Sequence, residues 1–218
     1  MGRLQVAKRQ YDNDYVSVTG LLSILSNYGL MEWFKRTPYA QILEESNKGK
    51  TIGKQLHDVI QSHIDKQEAK IETEYPEEVS TALKSFMLFK KDNPNIKLNK
   101  AELMLISDKY KLNGTLDCTA EENGIPILLD WKSAKCGTEK DKPPIYNSYL
   151  YQVSAYDRLY REQEGIKFEY AYVVALAKDK VSYNMEKIDA ITMNNHFENI
   201  IIPCLNIFYY EKENKKKL

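Results

Sequence analysis

Residues 111–132 read KLNGTLDCTAEENGIPILLDWK. Near the centre stands Asn123-Gly124, the dipeptide that most favours a two-residue type I′ β-turn, because both central residues of that turn need a positive φ. The residues before it alternate apolar with polar side chains, and the residues after it contain the apolar run 127–129. Both flanks are typical of β-strands. The stretch therefore predicts a β-hairpin.

A two-residue turn also fixes the pairing of the two strands. In that register Asp117 lies directly opposite Asp130, and Lys132 shares a face with Asp130 because side chains alternate with a period of two. Directly opposed side chains are about 4.5–5.5 Å apart, so two carboxylates there repel each other. They need a shared proton, a cationic side chain or a divalent metal. A structural salt-bridge cluster is the alternative, but buried charge clusters give little net stability.

A third carboxylate is predicted to join this pair. If Asp108 and Lys109 form the preceding turn, Glu102 lies opposite Thr115 and on the same face as Asp117. Three carboxylates and a lysine on one face suit a hard cation such as Mg²⁺ or Mn²⁺. A lysine beside a metal-bound water fits the hydrolysis of a phosphate ester.

The rest of the chain predicts one α/β domain over residues 1–218, in which a central mixed sheet is flanked by helices. We expect a helical N-terminal part over about 15–95, a core over about 98–186 and a C-terminal helix over about 188–213, interrupted at Pro203. Apolar periodicity predicts helices at 51–69, 76–90 and 145–164, and strands at 102–106, 111–119, 125–131, 168–177 and 181–185.

Composition excludes several classes of protein. Thirty-one basic residues balance 31 acidic ones, which excludes a uniformly basic nucleic-acid coat but not a local basic groove. No apolar run approaches the ~18 residues of a membrane span, and the N-terminal stretch has no apolar signal core. Cys118, Cys136 and Cys204 are few and far apart, which suits a reducing compartment. We expect a cytoplasmic protein, in the host cytoplasm if a phage encodes it, with no membrane partner.

Five short motifs occur in an order that resembles the PD-(D/E)xK nuclease superfamily, and within it the RecB-like exonucleases, which include CRISPR-associated, phage and mitochondrial members. The resemblance spans about residues 50–160. Each motif alone is short, and the ordered set is what makes the resemblance specific. The motifs are Gly53-Lys-Gln-Leu-His57, Glu102, Gly114-Thr-Leu-Asp117, Leu128-Leu-Asp130-Trp-Lys132 and Gln152-Val-Ser-Ala-Tyr156.

The resemblance implies a restriction-endonuclease-like core and a Mg²⁺ or Mn²⁺ ion held by His57, Asp117 and Asp130. Glu102 would be a further ligand or would support one, and the carbonyl of Trp131 would be an additional candidate. Asp130 stands where many members have Glu, which shortens the reach of this ligand and leaves the number of metals open. Some branches carry a four-cysteine iron–sulfur cluster; this chain lacks the cysteines, so we expect none.

The resemblance also assigns roles in the reaction. Lys132 would position or activate the attacking water, and Gln152 and Tyr156 would flank the phosphate and the lysine. The implied activity is that of a metal-dependent deoxyribonuclease, an exonuclease on single strands or DNA ends in replication, recombination or repair. Its partners would be DNA and replication or recombination proteins, with the oligomeric state open. Two alternatives remain: a catalytically inactive nucleic-acid-binding subunit of the same fold, and a hydrolase of a small phosphoester.

Several of these residues also have structural interpretations. His57 could simply pack inside with Ile60 and Ile64, one and two turns further along the helix, and Gly53 is expected to allow that helix to approach the sheet closely. Gln152 and Tyr156 could be an ordinary pair on one helix face. The loop lysines either face solvent or contact a DNA backbone, and the helix tyrosines either pack in the core or stack on bases. These residues are Lys135, Lys140 and Lys142, and Tyr146, Tyr149, Tyr151, Tyr156 and Tyr160.

Overall fold

The computed structural model describes residues 14–25, 28–65, 75–136 and 141–214. Its elements are listed in chain order. The N-terminal part contains β1 (Val16–Ser17), α1 (Val18–Leu22), α2 (Tyr28–Arg36), α3 (Tyr39–Ile64) and α4 (Glu77–Asp92). The middle contains β2 (Ile96–Ser107), β3 (Leu112–Glu122), β4 (Ile125–Ala134) and α5 (Asn147–Glu164). The last part contains β5 (Tyr170–Ala177), β6 (Tyr183–Asp189), α6 (Ala190–His196), a π-helical segment (Phe197–Ile201) and α7 (Ile202–Asn214).

The described strands form one mixed six-stranded sheet. The order is β1-β3-β4-β5-β6, and β2 pairs with the other edge of β3. The β2–β3, β3–β4 and β5–β6 pairs are antiparallel, and the β1–β3 and β4–β5 pairs are parallel. Helices cover both faces. The predicted fold class is therefore confirmed: an α/β fold with a mixed sheet flanked by helices and a helical N-terminal region.

Each face of the sheet has its own hydrophobic core. On one face, Leu128 packs with residues of α1, α5, α6 and α7. On the other face, the neighbouring Leu129 packs with residues of α3 and α4. Trp131 is fixed in this second core between the rings of Phe86 and Phe89, whose centroids each lie 5.4 Å from its own. Burial on both faces explains why β4 reads as an apolar run rather than an alternating one.

The predicted hairpin is confirmed. Asn123 has φ 52° and Gly124 has φ 83°, the positive values that a type I′ turn requires. Pairing follows the predicted register from Glu122 opposite Ile125 to Cys118 opposite Leu129. It stops there, one pair before the two aspartates, and β4 continues as a partner of β5. The candidate site therefore lies where β3 and β4 part, not on a continuous flat sheet.

The predicted register between β2 and β3 was wrong by two residues. Thr115 pairs with Met104, not with Glu102. The cause is the turn, which uses the four residues 108–111 instead of two and places Lys111 in the left-handed region at φ 50°. A shift of two preserves the face of each side chain. It also moves Glu102 level with Asp117.

Helix α3 begins at Tyr39, well before the predicted start at Thr51. The extra turns carry few apolar residues and are mostly exposed, so hydrophobic periodicity could not detect them. The described helix ends at Ile64, and the predicted end at Ala69 lies outside the described residues. Strand β2 also extends further than predicted, starting at Ile96.

The C-terminal helical run continues through Pro203 instead of breaking there. A proline has no backbone N–H to donate within a helix, and the π-helical segment directly before it accommodates this change in hydrogen bonding. Among the described helices, none is both long and apolar enough for a membrane span.

Candidate metal centre and active site

Three side chains from three elements converge where the pairing of β3 with β4 ends, which we call the fork between the two strands. They are His57 from α3, Glu102 from β2 and Asp117 from β3, and one ligand atom of each lies within 4.8 Å of the others. His57 Nδ1 lies 3.2 Å from Glu102 Oε1 and 3.6 Å from Asp117 Oδ1. An imidazole and two carboxylates at this spacing form a set of donors that a divalent cation can use.

Irregular backbone brings the two carboxylates into this position. Glu102 has φ 50°, a left-handed value that costs a non-glycine residue energy. Strand β3 is also irregular at this level. Residues two apart in a regular strand face the same side of the sheet, yet Leu116 packs in the first core and Cys118 in the second. Both irregularities occur at the level of Asp117. Strained backbone of this kind is concentrated at functional sites.

The side chain of Asp117 supplies a hydrogen-bond acceptor where the backbone pairing of β3 with β4 has ended. Its Oδ2 accepts a hydrogen bond from the backbone N–H of Trp131 at 2.8 Å, just beyond the last regular pair of β3 with β4. This bond fixes the side chain and leaves Oδ1 directed at His57. Burial raises the pKa of the Asp117 carboxyl, although the nearby His57 and Lys132 oppose the rise.

Asp130 and Lys132 form a buried ion pair beside this cluster. Lys132 Nζ lies 2.5 Å from Asp130 Oδ2. Asp130 is completely buried, and neither of its oxygens accepts a hydrogen bond of regular geometry among the described residues. Oδ2 has the ion-pair contact with Lys132, and Oδ1 has no partner of either kind. A buried carboxylate oxygen without a donor is costly. Burial raises the pKa of Asp130 to about 7, with Lys132 opposing the rise.

These observations test whether the residues fit a divalent cation. Three donor atoms lie within reach of one ion, and the unpartnered Asp130 Oδ1 lies buried at the neighbouring position. Carboxylates suit Mg²⁺ and Mn²⁺, and imidazole is a common further ligand. The residues fit such an ion. The resemblance implied His57, Asp117 and Asp130 as ligands, with Glu102 as a further ligand or a supporting group. The three groups that converge are His57, Glu102 and Asp117, and Asp130 is paired with Lys132.

The electrostatics of His57 give a prediction about the metal-free protein. Burial lowers its pKa, but the hydrogen bond to Glu102 and the charge of Asp117 outweigh burial and raise it to about 9. Because the folded state holds this proton more tightly, the ion pair stabilises the fold fully below pH 6.5 and is lost as pH rises through about 9. A metal must displace the same proton.

Nuclear magnetic resonance titration of the three histidines in EDTA checks this prediction. We expect His57 to titrate near pH 9, whereas burial lowers the pKa of His63 and His196 below the usual value. Glu102→Gln removes the charged acceptor and should lower the pKa of His57. A His57 pKa at or below the usual value in the wild-type protein would contradict the geometry described above.

Helix α5 lines the other side of the ion pair. The ring of Tyr149 lies 5.3 Å from Lys132 Nζ, within cation–π distance. One turn further, Gln152 Nε2 donates to the hydroxyl of Tyr156 at 2.8 Å, and both side chains are buried. Burial and the nearby charges of Asp130 raise the pKa of Tyr156 well above its usual value, so it remains a neutral phenol that can still donate its proton.

Gly114 holds the position of Tyr156. A Cβ at this position would lie 2.6 Å from Tyr156 Cε1 and 3.4 Å from Val18 Cγ2. Gly114→Ala therefore forces the buried ring to move, and we expect it to lower the free energy of unfolding by about 1–3 kcal/mol. Urea denaturation measures this change. Gly49→Ala is the control, because a Cβ there meets no atom within 4 Å; equal effects of the two substitutions would refute the prediction.

Two openings flank the site along helix α3. A cleft of about 410 Å³ is lined by His57, Glu102 and Gly53. A larger groove of about 790 Å³ is lined by Gly49 and Tyr149 among others. Gly53 was expected to allow close approach of α3 to the sheet, and this interpretation was wrong. A Cβ at Gly53 would meet only Ser133 Oγ, at an ordinary 3.9 Å.

The structure brings together every residue predicted for the site. His57, Glu102 and Asp117 form the cluster, with Asp130 and Lys132 beside it and Gln152 and Tyr156 on α5. Two features were not predicted. Tyr149 contacts Lys132, and its spacing of one turn before Gln152 could have indicated this. Glu102 lies within 3.2 Å of His57, whereas the predicted register placed it opposite Thr115 instead of level with Asp117. Lys140 lies outside the described residues.

The chain is similar to known proteins in its structure and not in its sequence. No protein-family model matches the chain, and no curated protein matches it. Among solved structures, the chain is similar to SSO0001 over 93% of this chain and 85% of that one, with a TM-score of 0.38 and 14% identity. It is also similar to an alkaline exonuclease (LHK-Exo) from Laribacter hongkongensis over 94% of both chains, with a TM-score of 0.43 and 9% identity.

Proposed function

We propose that this protein is a metal-dependent DNA nuclease of the PD-(D/E)xK superfamily, a single domain that hydrolyses phosphodiester bonds. The observation that carries the proposal is the joint position of two groups. A His57–Glu102–Asp117 cluster lies next to a buried Asp130–Lys132 ion pair, and one oxygen of Asp130 has no hydrogen-bond donor. A cation site beside a buried lysine suits the hydrolysis of a phosphate ester.

In this proposal His57, Glu102 and Asp117 hold Mg²⁺ or Mn²⁺, and Asp130 Oδ1 is a further ligand. When bound, the cation polarises the scissile phosphate and lowers the pKa of a coordinated water. Asp117 is suited to its role because its second oxygen is anchored to the backbone of Trp131. We propose no iron–sulfur cluster, because the chain has only three cysteines.

The chain's own residues complete the reaction. The Lys132 ammonium is held by Asp130, and the charges of Asp130 and Asp117 overcome burial and raise its pKa. It therefore stays protonated and donates hydrogen bonds, which orient the attacking water and stabilise negative charge on the phosphate oxygens in the transition state. Tyr156 accepts a hydrogen bond from Gln152 and uses its own hydroxyl proton to bind a phosphate oxygen.

We propose that the substrate is single-stranded DNA or a DNA end, and that the enzyme is a cytoplasmic exonuclease of replication, recombination or repair. The order of the sequence motifs supports the exonuclease assignment through the RecB-like resemblance.

A cleavage assay tests this proposal. Linear single strands labelled at the 5′ or 3′ end, a duplex, a circular single strand and an RNA strand are incubated with Mg²⁺, Mn²⁺ or EDTA. Metal-dependent loss of linear DNA with the circle intact is the expected result, and the label that disappears first gives the polarity. Cleavage of the circular strand would show that the enzyme is an endonuclease and not an exonuclease. Binding of DNA without cleavage under either metal would refute the enzymatic proposal and favour a binding subunit.

A further inference from the structure

The groove beside the candidate active site is polar, and it reaches Ser133, the residue that follows Lys132. Its volume is about 790 Å³, and it is bounded by the N-terminal half of α3, the start of α4, the end of β4 and the start of α5. Tyr149 and Ser133 line it where it meets the site. The contact of the Tyr149 ring with Lys132 Nζ links this groove to the proposed chemistry.

Three lysines from separate elements surround one carboxylate in this groove. Glu78, in the first turn of α4, lies 2.7 Å from Lys48 Nζ and 3.7 Å from Lys135 Nζ. Lys178, the residue after β5, adds to their field. Together these lysines, Lys48 most strongly, hold the pKa of Glu78 below its usual range. Among the described residues, Glu78 is the only carboxylate within 4.0 Å of Lys48 or Lys135. Glu44 and Glu45 act on Lys48 from further away, and Asp179 acts on Lys178, so the positive field is strongest at Glu78 itself. The arrangement suits an acceptor with more charge and more oxygens, such as a phosphate.

Other charged residues in the groove limit how far this field extends. Glu44 and Glu45 line the groove one turn of α3 before Lys48. The positive charge is therefore local to the surroundings of Glu78 and does not cover the whole groove. A ligand attracted by this positive charge must place an anionic group close to Glu78.

Gly49 supplies an independent observation. It lies in the interior of α3 and lines the groove. A Cβ at this position would meet no protein atom within 4 Å, so packing within the protein does not require glycine. Glycine inside a helix is unfavourable relative to alanine, and it is typical where a ligand approaches the backbone closely.

An exposed aromatic ring completes the groove. Tyr146 lines it and is 48% exposed, although it precedes a helix whose other tyrosines are more buried. Its ring centroid lies 5.4 Å from that of Tyr149. Exposed aromatic rings beside cationic side chains are the stacking platforms that bind the bases of single strands.

We propose that this groove holds one strand of nucleic acid leading to Lys132, and that Glu78 occupies the position of a backbone phosphate until the strand displaces it. The phosphate then contacts Lys48, Lys135 and Lys178, a base stacks on Tyr146, and the strand passes closest to α3 at Gly49. The inference rests on the proposed nuclease function and adds to it the path of the substrate and a residue that limits its affinity.

The first test measures equilibrium binding of fluorescein-labelled oligo(dT) by fluorescence anisotropy in EDTA. Glu78→Gln should bind about threefold to tenfold tighter at low salt, and its affinity should fall more steeply with salt, because more lysines become available to phosphates. Glu77→Gln, the neighbouring exposed residue outside the groove, is the matched control and should bind like wild type. Unchanged or weaker binding by Glu78→Gln would overturn the proposal.

The second test separates binding from stability. Gly49→Ala should raise the melting temperature by about 1–3 °C and weaken oligo(dT) binding by about threefold to tenfold, because the added Cβ narrows the path. Ser46→Ala, on an exposed position of the same helix, should raise the melting temperature without changing binding. If Gly49→Ala binds oligo(dT) with unchanged affinity, the proposal that the strand passes close to α3 at Gly49 is refuted.

The third test examines stacking. Tyr146→Leu should weaken binding of oligo(dT) but not of an abasic strand of equal length, and Tyr210→Leu, an exposed tyrosine on α7, should change neither. Equal losses on both strands would refute stacking. These assays need no cleavage, so the two proposals fail separately. If the variants show the expected changes in binding but the protein never cleaves DNA, the groove proposal stands and the nuclease proposal is refuted. If the protein cleaves DNA but the variants bind like wild type, only the groove proposal is refuted.

Discussion

Lys132→Gln is expected to slow cleavage of a linear DNA strand by about 100- to 1000-fold at saturating metal. The substitution removes the ammonium that orients the water and stabilises charge on the phosphate. Glutamine is chosen because its amide can still donate to the buried Asp130. Lys132→Ala would leave that carboxylate without its partner, which costs about 3–5 kcal/mol of stability when a buried ion pair is broken, and a loss of folding would then obscure the result.

Single-turnover kinetics with excess enzyme provides the measurement, since it isolates the chemical step from product release. Metal-induced thermal stabilisation should persist in Lys132→Gln, because the lysine is not a ligand. Lys97→Ala, an exposed lysine of β2, should cleave like wild type. A Lys132→Gln enzyme with the wild-type rate would remove Lys132 from the mechanism.

Asp117→Asn is expected to abolish both metal binding and cleavage. Asparagine can keep the hydrogen bond from the backbone of Trp131, so the fork between β3 and β4 is retained. It loses the charge that faces His57, and a cation that contributes several kcal/mol to transition-state stabilisation is then no longer held. A loss of about 1000-fold or more in rate follows, at 1.36 kcal/mol per tenfold.

Thermal unfolding with and without metal checks this second prediction. A ligand at 100 times its dissociation constant stabilises the native state by about 2.7 kcal/mol, which corresponds to about 5–10 °C in melting temperature for a chain of this size. Wild type should show that increase with Mn²⁺ and Asp117→Asn should not. In EDTA the variant should be at least as stable as wild type, since a buried charge has been removed. A full Mn²⁺ shift in Asp117→Asn would exclude Asp117 as a ligand.

Local sequence rules predicted the elements that carry most of the site. The Asn123-Gly124 turn has one favoured geometry, and that geometry set the pairing of β3 with β4. The apolar stripe of α3 around Ile60 placed His57 on the inner side of its helix. Turn chemistry and periodicity are local properties, and they were sufficient for these parts of the fold.

The parts that sequence did not predict depend on contacts between distant segments. The four-residue turn at 108–111 has no strong signature, so Glu102 was placed two residues from its true position. The early turns of α3 have no apolar stripe, because they border an open groove instead of a core. The separation of β3 from β4 at Asp117 depends on a side chain replacing a backbone partner, which residue patterns do not show.

Anomalous diffraction at the manganese edge, from crystals grown with Mn²⁺, tests the central claim most directly. We predict a strong peak within about 2.5 Å of His57, Glu102 and Asp117, with Asp130 Oδ1 turned toward it and Lys132 beside it. Asp117→Asn crystals grown in the same way should lack the peak. A peak elsewhere, or none at this cluster at millimolar Mn²⁺, would contradict the metal centre and with it the proposed mechanism.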